Sequence, residues 1–237
     1  MNTICLICIK PHKIWCDFLN NFKKYKIFVI IDDNNFDITF FKNAYTNISF
    51  VQINEEKCKN YFYINMNFIV FYKEITGWEK ALYYFSVENL NNNFIWFMED
   101  DVFFYDENTI KNIDKKYMYD DLLSNNYEIN EIGDKKDWLW NRININISPP
   151  YYKGMMCCVR LSNKILKCIY DYANKNKTLF FLEALFPTIA FKNNLIYSTP
   201  TEFIEIHYRK DFNIEEINKK ILYHPVKNLE QHITFRT

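Results

Sequence analysis

The chain has 237 residues, enough for one sizeable core, and its 49% apolar and 24% charged residues are the balance of a globular rather than a disordered protein. Its 29 Lys plus Arg equal its 29 Asp plus Glu, so the composition offers no general electrostatic grip on nucleic acid or an anionic membrane. No apolar run approaches the roughly 20 residues that span a bilayer, and no charged-then-apolar leader opens the chain, so the expectation is a soluble, cytoplasmic protein.

The seven cysteines have no zinc-type spacing and fit reduced, buried thiols. Cys5 and Cys8 fall in an apolar run of strand character, which sends their thiols to opposite faces. The 19% aromatic content, with abundant Asn, Ile and Lys, is what an AT-rich coding sequence produces. Glycine is more telling: there are only three, Gly77, Gly133 and Gly154. Neither a P-loop nor a dinucleotide fingerprint can be written without several glycines to bring backbone N–H groups to phosphate. A diphosphate held here needs other positive charge, and a divalent cation on carboxylates is the natural substitute.

In chain order, Thr3–Ile9 predicts a strand buried on both faces, and Trp15, Phe18, Leu19 and Phe22 follow at helical spacing. Lys26–Ile31 predicts a second buried strand ending in the turn Asp32-Asp33-Asn34-Asn35, and Ile48–Ile53 a third. Strands joined through a helix argue for a parallel sheet. Trp78, Ala81, Leu82 and Phe85 mark an amphipathic helix after Gly77, and Phe94–Met98 a central strand running into Glu99-Asp100-Asp101. Residues 106–150 are polar with weak periodicity and read as irregular. Beyond them come a strand at Met155–Val159, a helix capped by Ser162, and a helical region in Leu179–Ala190. Pro187 puts the start of that last helix near Glu183. A strand at Leu195–Ser198 follows, and the economical reading is one α/β domain with a Rossmann-like, mostly parallel sheet flanked by helices.

Three consecutive acids after a buried strand repel one another, and a buried unpaired carboxylate costs several kcal/mol, roughly. A divalent cation removes both penalties. Open α/β sheets gather ligands at the carboxyl ends of their strands, where this triplet falls. Alternation along extended chain sends Glu99 and Asp101 to one side and Asp100 to the other. Acids that merely end a strand and start a turn are the plainer explanation for an isolated pair such as Asp32-Asp33, whereas a triplet after a buried, Trp-containing strand favours the metal.

The stretch Gly77-Trp78-Glu79-Lys80-Ala81-Leu82, followed by Phe94 to Met98 and then Glu99-Asp100-Asp101-Val102, resembles the GT-A glycosyltransferase superfamily. It is more narrowly similar to members with an EDDV form of the DxD motif, such as the family 25 enzymes, although Thr76-Gly77 stands where those carry Ser-His. The resemblance is specific over 75–105 and looser over 150–230. It implies a single GT-A domain, with a nucleotide-binding half over 1–105 and an acceptor half over 106–237. It further implies a nucleotide-sugar donor and Mn2+ or Mg2+ bridging the diphosphate to Asp101, with Glu99 and Asp100 at metal-bound water or donor hydroxyls. Asp32 and Asp33 would meet base or ribose. The acceptor hydroxyl belongs to a glycan, a protein or a small molecule, and nucleic acid is not among the expected partners.

Inverting sugar transfer needs a general base, and Glu183 is the candidate. It is the lone charge between Lys177 and Lys192, and burial would raise its pKa to a useful value. A helix-start Glu favoured by the macrodipole is the competing explanation. His224, in Tyr223-His224-Pro225, resembles the C-terminal histidine that many GT-A enzymes add as a metal ligand, and Lys227 could touch the diphosphate. His12, His207 and His232 have weaker context. Trp138 and Trp140 read as loop anchors rather than acceptor platforms, and Arg160 either reaches phosphate or pairs with an acid. The alternatives are a metal-dependent nucleotidyltransferase, disfavoured by a glycine-free Ile9-Lys10-Pro11-His12-Lys13, and a catalytically inactive GT-A-like nucleotide-sugar binding module.

Overall fold

The computed structural model describes residues 2–237. Strand β1 (Asn2–Cys8), helix α1 (Lys13–Leu19), β2 (Tyr25–Ile31), α2 (Thr39–Ala44) and β3 (Ile48–Gln52) form the first half, followed by α3 (Glu55–Asn60) and α4 (Phe68–Phe71). Helix α5 (Gly77–Tyr83) continues as a π-helical turn over Tyr84–Glu88 and leads to β4 (Phe94–Glu99). Then come α6 (Glu107–Lys116), β5 (Leu122–Asn130), β6 (Tyr151–Ser162), α7 (Asn163–Asn176) and α8 (Leu182–Lys192). Short strands β7 (Tyr197–Ser198), β8 (Glu205–Ile206) and β9 (Tyr223–His224) precede α9 (Leu229–Thr234).

The fold is α/β with one seven-stranded sheet in the order β3-β2-β1-β4-β6-β5-β7, and β8-β9 form a separate parallel pair. Pairings β3-β2, β2-β1, β1-β4 and β5-β7 are parallel, whereas β6 runs antiparallel to both β4 and β5. Apolar side chains of one sheet face pack on α5, α7 and α8, and those of the other face on α1 and α6. Cys5 and Cys8 enter opposite cores, as strand alternation requires, and all seven cysteines are free. No helix among the described residues is long and apolar enough to cross a membrane.

The structure corrects four sequence expectations. The segment over 106–150 is not wholly irregular, because it contains α6 and the nine-residue β5. Strand β5 is Asn-rich and held by pairing with β6 through two register shifts, a tertiary effect that overrides weak intrinsic preference. Strand β6 extends well beyond Met155–Val159, and β7 is only two residues long. Helix α8 starts at Leu182, next to the start expected at Glu183, but Pro187 then lies past its first turn, beyond where a helix ordinarily tolerates proline. There it withholds the N–H that would have bonded the Glu183 carbonyl. Finally, α5 is buried all round instead of presenting a polar face. Its polar residues find internal partners: Glu79 accepts from Asn67 N, Thr76 N and Thr76 Oγ1, and Lys80 pairs with Asp32.

Gly77 sets how closely α5 approaches the sheet. A Cβ there would sit 2.7 Å from Cγ2 of Ile7 and 3.6 Å from Cβ of Asp32. The branched Ile7 side chain is buried and stiff at χ1, so Gly77→Ala is expected to cost about 2 kcal/mol of unfolding free energy in urea. A variant as stable as the parent would show that α5 can lift off β1 freely.

Candidate active site

The first turn of α5 bridges two acidic turns at the carboxyl ends of the parallel strands. Gly77 abuts Asp32 at the end of β2, and Trp78 donates from Nε1 to Glu99 Oε1 at 2.7 Å at the end of β4. Thr76 caps this helix in a capping box with Glu79, which fixes where Trp78 points.

Asp101 is met from the other direction by the C-terminal segment. Phe103 and Tyr223 exchange backbone hydrogen bonds at 2.8 and 2.9 Å, and Val226 N donates to Asp101 O at 2.7 Å. This antiparallel contact carries His224 over the acidic turn, with Nε2 3.3 Å from Asp101 Oδ1. Nδ1 of His224 lies 2.7 Å from the His207 carbonyl. A proton on Nδ1 satisfies that carbonyl and leaves Nε2 as the lone-pair nitrogen.

One ligand atom each from Glu99, Asp101 and His224 lie within 4.8 Å of one another. Oδ1 of Asp101 is buried and makes no hydrogen bond. A buried carboxylate oxygen without a hydrogen bond, beside an oriented imidazole and a second carboxylate, is a donor set that fits a divalent cation. Asp100 stands outside this group, as alternation predicts, and Trp15 Nε1 holds its carbonyl at 2.7 Å.

The electrostatics are those of a site short of positive charge. Burial, with the like charge of Asp101, raises the Glu99 carboxyl above its usual range even against the Trp78 hydrogen bond. Burial and Asp101 also push Asp100 up to about 6. On His224 burial opposes the charge, but Asp101 and Glu99 outweigh it and the ring pKa is raised.

Glu183 occupies the first turn of α8 and faces the same cluster. Burial, then the charge of Glu99, lifts its carboxyl to about 7, with Lys153 and His224 pulling the other way. Lys153 was not singled out in the sequence; it reaches the site from β6, pairs with Glu128 at 3.1 Å and lies 5.0 Å over the Trp138 ring. Nothing in its local sequence marks it, since the role depends on strand β6 lying beside α8.

Asp32 and Asp33 line a cleft of about 620 Å³ with Lys10, Asn34, Asn35 and Glu55. Asp33 accepts from Asn35 N and pairs with Lys10 at 3.5 Å, so it does cap its turn. Asp32 is the close counter-ion of Lys80, which is fully buried, 2.9 Å from Asp32 Oδ1 and 3.7 Å from Glu55 Oε1. Asp32→Ala removes the nearest carboxylate and leaves that ammonium the residue-32 carbonyl, and a loss of about 3 kcal/mol in equilibrium unfolding is expected. A loss under about 1 kcal/mol would mean that water or Glu55 takes over the pairing.

Lys227 is exposed directly after Val226, and among the described residues it forms no ion pair. Arg160 pairs with Asp114 at 2.9 Å in the core, which decides its two readings in favour of the acid. Trp138 and Trp140 meet edge to face at 4.9 Å, and Trp138 lies 5.7 Å from Phe181 just before α8. They anchor their loop against Phe181 and, through Trp140, Tyr151.

No known protein-family model matches this chain, and no curated protein matches it in sequence. Solved structures do match it in shape. A crystal structure of the galactosyltransferase LgtC in complex with donor and acceptor sugar analogs has a TM-score of 0.50 at 11% identity, covering 99% of this chain and 95% of that one. An active-site mutant of LgtC gives 0.51 at 11% identity over 98% and 94%. The 4-diphosphocytidyl-2C-methyl-D-erythritol synthase from Anaerococcus prevotii gives 0.49 at 8% identity over 84% and 86%. At 11% identity the likeness to the two LgtC structures establishes the fold alone: the chain shares their α/β fold over nearly its whole length.

Proposed function

We propose that the chain is a metal-dependent glycosyltransferase that moves a hexosyl or pentosyl group from a nucleotide-diphosphate sugar to an acceptor hydroxyl. The observation that carries this reading is the convergence of Glu99, Asp101 Oδ1, which is buried and makes no hydrogen bond, and oriented His224 Nε2 within 4.8 Å. These residues would hold Mn2+ or Mg2+, and the imidazole nitrogen favours Mn2+, since Mg2+ prefers an all-oxygen shell. When bound, the cation supplies Lewis-acid neutralisation of the departing diphosphate. With only three glycines in the chain, no glycine-rich phosphate loop competes for that task.

The chain's own residues do the rest. Glu99, fixed by Trp78, and Asp100 face donor hydroxyls or metal-bound water. The second carboxylate oxygen of Asp32, with Asp33, is available to ribose or base in the adjoining cleft, and exposed Lys227 to the diphosphate. Residues 1–105 thus supply most of the nucleotide side, joined by His224 and Lys227 from the C-terminal segment, and the remainder of 106–237 serves the acceptor. Glu183, raised to about 7 by burial, is suited to accept the proton of an acceptor hydroxyl, which makes the transfer inverting.

The test is a thermal-shift screen of UDP, GDP, CDP and ADP with and without Mn2+. A ligand that binds only the folded chain adds about 2.7 kcal/mol at a hundredfold excess over Kd. A Mn2+-dependent shift for one nucleotide, followed by Mn2+-dependent hydrolysis of its sugar conjugates, is expected. Binding without any turnover would leave an inactive binding module, and binding of no nucleotide would overturn the proposal.

A further inference from the structure

The C-terminal helix makes no contact with donor or acceptor in the scheme above, yet the acidic turn depends on the segment it ends. Four backbone carbonyls of that turn are satisfied by distant donors. Asp100 O accepts from Trp15 Nε1 at 2.7 Å, Asp101 O from Val226 N at 2.7 Å, Phe103 O from Tyr223 N at 2.9 Å, and Phe104 O from Arg236 Nη2 at 3.0 Å. Three of these donors belong to the C-terminal segment.

Behind Val226 stands His232, on α9 and fully buried. Its Nε2 lies 2.9 Å from the Val226 carbonyl, and its ring packs edge-on to Trp15 at 5.1 Å and Phe103 at 5.5 Å. Burial pushes the ring pKa down to about 4, so the imidazole is neutral near pH 7 and its single proton sits on Nε2. Nδ1 is buried and has no partner. A phenylalanine would fill the same space without that orphaned nitrogen, so what histidine adds is the N–H aimed at Val226. Val226 is therefore gripped on both sides, its carbonyl by His232 and its N–H by Asp101.

We infer that His232 is a positioning residue for the cation site: through Val226 it holds the 223–227 segment against Asp101 and keeps His224 and Asp101 at ligand spacing. The inference rests on the metal-site reading above. It touches no reacting atom, and it acts on the two ligands through one residue of backbone.

The test compares full-length wild type, His232→Phe and His232→Gln. The glutamine amide nitrogen stands in for Nε2 and can donate to Val226 O. Binding of Mn2+ alone is measured by the electron paramagnetic resonance of the free ion, and exchange of the Val226 amide by mass spectrometry or NMR. His232→Phe is expected to weaken Mn2+ binding about tenfold and to speed Val226 exchange, with a melting temperature close to wild type. His232→Gln is expected to restore both. His232→Leu serves as a second donor-less variant should the first misfold. Wild-type Mn2+ affinity in a folded donor-less variant overturns the inference, as does an equal loss in His232→Gln. Absence of Mn2+ binding by the wild type, or equal binding by Asp101→Asn, instead overturns the metal site itself, and the inference falls with it.

Discussion

Asp101→Asn is expected to lower nucleotide-sugar turnover about a thousandfold, equivalent to about 4 kcal/mol of transition-state stabilisation. The substitution keeps the shape of the side chain and removes the charge on a buried oxygen that makes no hydrogen bond. It also leaves His224 without the acid 3.3 Å from its Nε2. In the absence of Mn2+ the melting temperature should stay near that of the parent, because relief of repulsion with Glu99 and Asp100 offsets the lost His224 pairing. Adding Mn2+ and nucleotide should then raise the parent's melting temperature and leave the variant's where it was. Full activity in a folded Asp101→Asn protein would remove this residue from the site.

The second large effect is expected at Glu183. Glu183→Gln should reduce transfer by about 10³-fold, the range of a lost general base, with little change in KM for the donor. The pH dependence distinguishes this from a structural loss. With the carboxyl at about 7, the parent's kcat/KM for the acceptor should rise with pH through roughly neutral, and the variant's should be flat. Stability runs the other way. The folded pKa stands above the ordinary 4.5, so the contribution of Glu183 to stability is complete below about pH 4.5 and is lost as pH rises through about 7. After solvent screening that loss amounts to about 2 kcal/mol, and Glu183→Gln should therefore be the more stable protein at pH 8. A variant that loses both activity and stability at pH 8 would mark Glu183 as a structural acid. Such a trade is usual where a charged group is held buried for chemistry.

Much of the fold was legible because its signals are local. The buried strands β1, β2, β3 and β4 announce themselves as apolar runs, Ser162 accepts from Ile165 N as a cap should, and α5 begins at Gly77. The elements within 106–150 were not legible. Helix α6 buries only Thr109, Ile110 and Ile113, and β5 exists because β6 lies beside it. The polar residues of α5 misled for a related reason. Glu79 and Lys80 look like a solvated face, but Asn67, Thr76 and Asp32 supply their partners from other turns of chain.

The sequence alone determined where the acidic turn ends a buried strand, and that too few glycines exist for a phosphate loop. It also marked Glu183 as an isolated acid in an apolar stretch. These are properties of neighbours in the chain, set by side-chain period and composition. Only the tertiary structure decided which of the candidates meet. The backbone exchange between Phe103 and Tyr223 brings His224 to Asp101, α5 carries Trp78 to Glu99, and His232 holds Val226 in place behind them. The Phe103–Tyr223 exchange joins backbone groups that carry no side-chain signal, and the Trp78 and His232 bonds join partners far apart in the chain, so no local pattern of residues records them in advance.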